Sequence, residues 1–183
     1  MQQETELETK FAQVGHGLTV EDGNVIAGYA SLFGAPDQGG DVVQRGAYAK
    51  SLKALLDSGR QVKMLWQHDP RMPIGIWDEV REDSKGLWVK GRLLESVAKG
   101  REAAALIAAG AIDGLSIGYR TQKATTGSKG HRLLQELELW EVSLVTFPML
   151  PSARLTAKDG GTPCALRAMV AAFEEASRVI AAR

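Results

Sequence analysis

From Leu87 to Leu94 the chain alternates residue by residue, with Leu87, Val89 and Gly91 on one side and Trp88, Lys90 and Arg92 on the other. A period of two marks a half-buried β-strand, and a chain built from such runs must bury one face of a sheet. Strand-type runs occupy most of the sequence. Residues 6–30 read as a β region around the turn Glu21-Asp22-Gly23-Asn24. Val42-Val43, Val62–Trp66, Ile74–Val80, Leu115–Lys123 and Arg132–Phe147 follow, the last closed by Pro148. Arg81–Gly86 and Thr125–Gly130 have the polar, glycine-bearing composition of hairpin connections.

Only two stretches within this series change to helical spacing. Between Ala47 and Ser58 the residues Tyr48, Leu52, Leu55 and Leu56 share one face, and Gly59 stands where a left-handed residue closes a helix. Between Val97 and Ala109 a second helix is expected, capped by Ser96 and stopped by Gly110. The fold class is therefore α+β and mainly β. After residue 155, Thr156–Thr162 reads as a linker. A final helix to residue 183 carries Leu166, Met169, Val170, Phe173 and Ile180 near heptad spacing, a stripe suited to docking or dimerisation. The expected division is 1–155 for the main domain and 156–183 for linker and helix.

Composition excludes several functions. Equal numbers of acidic and basic residues, 22 of each, argue against a nucleic-acid partner. No apolar run approaches the ~18 residues of a membrane span, and the polar N-terminus reads as no secretory signal, so a cytoplasmic protein is expected. The lone Cys164 has no histidine near it in sequence and reads as a bystander. No Cys/His cluster has metal-ligand spacing, so neither metal nor organic cofactor is expected. Gly39-Gly40-Asp41 lacks the strand–loop–helix context of a nucleotide fingerprint and reads as surface loop.

Three residues carry chemistry. Ser116 lies between Gly114 and Gly118, His68 ends an apolar run, and Glu141 sits within a long strand. A serine, a histidine and a carboxylate are the parts of a serine hydrolase, the histidine taking the serine's proton and the carboxylate orienting the imidazole. Gly114-Leu115-Ser116-Ile117-Gly118 also matches the nucleophile elbow of α/β-hydrolases. That motif needs a strand before it, a helix after it, and an acid and then a histidine downstream. Here a helix precedes, a strand follows, and only His131 lies downstream. Taken one at a time, each residue also has a bland reading: a tight strand bend, a satisfied strand-end histidine, an edge carboxylate.

Taken together, the motifs resemble those of the prohead (capsid maturation) proteases of tailed bacteriophages. The resemblance runs from about residue 24 to 155. It rests on Gly28–Phe33, Arg45–Tyr48, Leu65–Asp69 with Pro73-Ile74-Gly75, Gly86–Val89, Gly114–Tyr119 and Glu141–Pro148. It implies a serine endopeptidase related to the herpesvirus assembly proteases, with an antiparallel β-barrel surrounded by helices. It further implies Ser116 as nucleophile, His68 as base and Glu141 as third member, with Glu138 and Asp69 as runners-up. Period-two alternation sets Glu138, and a continuing strand sets Asp69, on faces opposite their neighbours in the site. The implied substrates are a scaffolding segment or extension of the major capsid protein, and the chain itself, inside the immature capsid in the host cytoplasm. A non-catalytic assembly or scaffolding module is the other reading. The paired arginines of the herpesvirus oxyanion site are absent, leaving Arg132 or backbone N–H groups as candidates.

Overall fold

The structure, a computed structural model, describes residues 8–11, 19–21, 24–37, 39–127 and 130–146. Its elements in chain order are β1 (Glu8–Phe11), β2 (Thr19–Glu21), β3 (Val25–Leu32), β4 (Asp41–Val43), α1 (Ala49–Asp57), β5 (Lys63–Trp66), β6 (Asp69–Glu82), β7 (Gly86–Leu93), α2 (Ala98–Ala108), β8 (Gly114–Thr126) and β9 (Arg132–Val145). One sheet holds all the described strands in the order β1-β8-β9-β5-β6-β7-β3-β2, with β4 also on β9. The sheet curls into a half-barrel, bringing β3 against β8. The expected final helix lies outside the described residues.

The sheet is mostly antiparallel, but it is a mixed sheet and includes two parallel pairings. Both β4 and β5 run parallel to β9 along the same edge, pairing with Arg132–Leu134 and Glu141–Leu144. Two strands parallel to one neighbour need a crossover between them, and α1 supplies it. On that edge, the stretch of β9 between the two pairings has no strand beside it among the described residues. There the N–H of Leu137 donates to the Ala47 carbonyl at 2.9 Å, and the N–H of Leu139 donates to Ser51 Oγ at 2.8 Å. Buried backbone donors need such partners, which explains a serine on the inner face of a packing helix. With Ser51 turned inward, the buried face of α1 centres on Tyr48, Ser51, Leu52 and Leu55. Leu56 falls about 90° from that centre at 3.6 residues per turn and is 81% exposed, not packed with the other three.

The remaining elements follow their sequence signals closely. Leu87, Val89, Gly91 and Leu93 are buried along β7, as the alternation requires. Gly59 and Gly110 follow the two helices with φ of 64° and 70°, as left-handed closing residues should. Ser96 does not cap α2: the N-cap position is Val97, without a side-chain cap bond. β6 begins at Asp69 rather than Ile74, and Pro70 and Pro73 fall where its register with β5 shifts, a place in a sheet that tolerates proline. The core joins Ile26, Met64, Ile74, Trp77, Leu87, Ile117, Tyr119, Leu139 and Val142. Trp77 Nε1–H also donates to the Val142 carbonyl at 3.2 Å, tying β6 across β5 to the strand that bears Glu141.

The β6–β7 hairpin is pinned by Asp83. Its Oδ1 accepts from the backbone N–H of Lys85 and Gly86, and its Oδ2 from Tyr29 Oη and Arg81. Burial pushes this carboxyl up, but those bonds outweigh it and bring it down to about 2. Because the folded-state pKa is depressed, the stabilisation is complete above the unfolded value of 3.8 and is lost as pH falls toward 2. Asp83→Asn should lower stability by about 1–2 kcal/mol at neutral pH, discounted for partial exposure. Thermal unfolding should show a midpoint about 2–8 °C lower, and the gap from the parent should narrow below about pH 4.

Candidate active site

Three adjacent strands build the site. In the β8–β9 ladder Ser116 lies opposite Ser143 and Gly118 opposite Glu141. In the β5–β9 ladder Leu65 is the partner of Ser143 and Lys63 of Glu141. Cross-strand partners point to the same side of a sheet, so Ser116, Ser143 and Glu141 share the face opposite Ile117, Tyr119 and Val142. All three are buried.

His68 reaches this face by way of a turn. β5 ends at Trp66, β6 begins at Asp69, and these two residues pair. The two between them, Gln67 and His68, have φ of 52° and 61°. Two consecutive positive φ values in a two-residue hairpin loop are the signature of a type I′ turn, which favours Asn-Gly because other residues resist that conformation. A side chain with a Cβ costs about 1–2 kcal/mol in each such position. The surroundings hold the turn in place. Gln67 N–H donates to the Leu144 carbonyl at 2.9 Å, Gln67 Nε2 to Thr146 Oγ1 at 2.6 Å, and His68 N–H to Ser143 Oγ at 3.2 Å.

This turn sets the imidazole against the carboxylate, with His68 Nδ1 2.6 Å from Glu141 Oε1. An ionised carboxylate only accepts, so Nδ1 carries the proton and Nε2 is left as the basic atom of the neutral ring. That is the tautomer a general base for a serine requires. The second carboxylate oxygen accepts from Ser143 Oγ at 2.5 Å. Room for this carboxylate comes from Gly118, where a Cβ would lie 2.2 Å from Glu141 Oε1.

The other candidates fall elsewhere. Asp69 is held by Arg71, whose side-chain hydrogen bonds keep its carboxyl below the ordinary range. Because His68 sits in a turn, the continuing-strand argument for Asp69 does not apply. Glu138 is not on the opposite face: the ladder passes from Gly118↔Glu141 to Tyr119↔Leu139, leaving Trp140 as a bulge, and the extra residue reverses the alternation. Glu138 therefore shares the face of Glu141 but pairs with Arg120, two β8 residues or ~7 Å further along, and accepts from Gln122. Arg132 is bound to Asp41 through two hydrogen bonds, at the opposite end of β9, ~30 Å from Glu141. His131 Nδ1 lies 3.1 Å from the Gly40 carbonyl, and the strand through Ser116 runs on to Thr126. The α/β-hydrolase arrangement is absent among the described residues. Ser143, unmarked in the sequence reading, is the addition. Its spacing of two from Glu141 along a strand was the signal available.

Comparison with known proteins gives the following. The family model described as caudovirus prohead serine protease matches residues 11–162. The chain is 32% identical over 153 residues to the prohead protease of Enterobacteria phage HK97, covering 82% of this chain and 65% of that protein. It is 33% identical over 145 residues to the capsid polyprotein of Pseudomonas phage PAJU2, covering 74% of this chain and 20% of that protein. It thus spans less than two thirds of either relative. Its fold is similar to that of the bacteriophage T4 capsid assembly protease, with a TM-score of 0.58 at 18% identity, over 78% of this chain and 96% of that one.

Proposed function

We propose that this chain, which belongs to the caudovirus prohead serine protease family, is a serine endopeptidase with Ser116 as nucleophile, His68 as general base and Glu141 as the orienting carboxylate. The observation that carries the reading is the 2.6 Å His68–Glu141 bond on the face that Ser116 shares by register. His68 Nε2 takes the Ser116 proton as Oγ attacks the substrate carbonyl, and the imidazolium is stabilised by Glu141. The tetrahedral intermediate collapses to an acyl-enzyme as His68 protonates the leaving amine. Water then repeats the cycle and frees the serine. With Arg132 bound to Asp41, the oxyanion falls to backbone N–H donors.

The substrates in this proposal are a scaffolding segment or extension of the major capsid protein, and the chain itself, cleaved inside the immature capsid in the host cytoplasm. Two namings support it: one relative is a prohead protease, and another, of which the matched part is a fifth, is a capsid polyprotein. Confinement in a shell raises the effective concentration of enzyme and substrate. Residues 1–155 form the protease domain in this reading, related to the herpesvirus assembly enzymes. Residues 156–183 then form a linker and a docking or dimerisation helix. A scaffolding module without activity has no use for a half-buried histidine bonded to a buried glutamate beside a buried serine.

The test separates Glu141 from its near neighbour on the same face. In a cleavage assay with the cognate capsid precursor, Glu141→Gln should lower kcat/KM by about 10²–10⁴-fold, since an amide no longer enforces the tautomer. Glu138→Gln should change it by less than about threefold, because its carboxylate serves Gln122. Equal losses would remove Glu141 from the assignment.

A further inference from the structure

We propose that Ser143 is a positioning residue of this site, acting through Glu141 and through the turn that bears His68; the inference rests on the protease reading above. Ser143 is fully buried and makes two hydrogen bonds, to partners that leave its hydroxyl no choice of direction. The His68 backbone N–H, 3.2 Å away, can only donate, so Ser143 Oγ accepts there. The ionised Glu141 carboxylate can only accept, so the single hydroxyl proton goes to Oε2, 2.5 Å away.

The consequence is a closed circuit. From Glu141 Oε1 it passes to His68 Nδ1, through the His68 residue to its own backbone N–H, on to Ser143 Oγ, and back to Glu141 Oε2. A carboxylate held by one oxygen can rotate about its terminal torsion, which is broad and weakly restrained. Held by both, it keeps Oε1 against His68 Nδ1. The same hydroxyl ties down the residue whose positive φ makes the turn unfavourable. Ser143 therefore sets two quantities at once, the direction of the carboxylate and the seat of the imidazole. It does so from directly across the ladder from Ser116, where a bulky side chain would intrude on the nucleophile.

Ser143→Ala tests this with readouts that a general packing role would leave unmoved. Expected are a fall in kcat of about 10–100-fold and a KM within about twofold, because the hydroxyl orients the base rather than binding substrate. In a Glu141→Gln background the same change should cost clearly less than in the parent, about 2–5-fold, since the carboxylate it directs is already lost and only its hold on the His68 turn remains. The far-downfield proton resonance of His68 Nδ1–H should shift or broaden in Ser143→Ala while the thermal unfolding profile stays cooperative. Ser143→Cys, which keeps the shape with a weaker donor, should fall between parent and alanine variant, and it decides the matter if the alanine variant fails to fold. Retention of kcat within twofold in the folded variants, with an unmoved resonance, overturns the proposal while leaving the protease reading intact. Cleavage that survives Ser116→Ala removes Ser116 as nucleophile and overturns the triad on which the proposal rests.

Discussion

Ser116→Ala should abolish cleavage of the co-expressed capsid precursor, lowering the rate by about 10⁴–10⁶-fold, as loss of the attacking atom does in serine proteases. The fold should survive. Ser116 is fully buried, and its strand is held on one side by β1 and on the other by the long β9 ladder. Removing one oxygen should therefore change stability by about 1 kcal/mol or less. Intact mass of both proteins is the measurement, since it reads the precursor and any self-shortening of the chain together. Full-length precursor with Ser116→Ala beside processed precursor with the parent establishes the nucleophile. Processing by both removes Ser116 from the mechanism, and processing by neither inside assembled shells favours the scaffolding module.

The strands were legible in the sequence because their signals are local, whereas Ser116, His68 and Glu141 stood out only through the resemblance of the motifs taken together. Alternation over Leu87–Leu94, a polar turn at Arg81–Gly86 and a glycine after each helix report on their own neighbourhoods. What it did not carry is set between strands. Nothing in Gln67-His68 reads as a type I′ turn, since the residues that favour one are Asn and Gly. Here the turn is imposed by Ser143 and Leu144 of β9 and by Thr146 just beyond it. The bulge at Trp140 broke the period-two argument that put Glu138 on the far face, and a bulge is visible only in the register of a pair. The parallel placement of β4 and β5 is likewise a property of the β9 edge. Even Ser51, an ordinary polar residue by its sequence, is buried to serve an amide 88 positions away.

Gly118 is the sharpest case of a residue whose reason lies on another strand. In the sequence it completes a G-x-S-x-G pattern. In the fold it is the clearance for Glu141, because a Cβ there would lie 2.2 Å from Oε1 and 2.9 Å from both Cδ and Cγ. Those atoms are the far end of a flexible side chain, so the backbone need not move. The carboxylate gives way instead, and it leaves the two hydrogen bonds that hold it. Gly118→Ala should thus lower kcat/KM by about 10²–10⁴-fold, the range expected for Glu141→Gln. Its stability loss should be about 1–3 kcal/mol, from a buried carboxylate pushed off its partners. The two substitutions act on one group, so combining Gly118→Ala with Glu141→Ala should cost no further activity beyond Glu141→Ala alone. The shorter side chain also makes room for the new methyl, so adding Gly118→Ala to Glu141→Ala should cost less than about 1 kcal/mol in stability. Thermal unfolding and steady-state cleavage of the four proteins in that cycle decide it: additive losses would mean that Gly118 serves the strand and not the carboxylate.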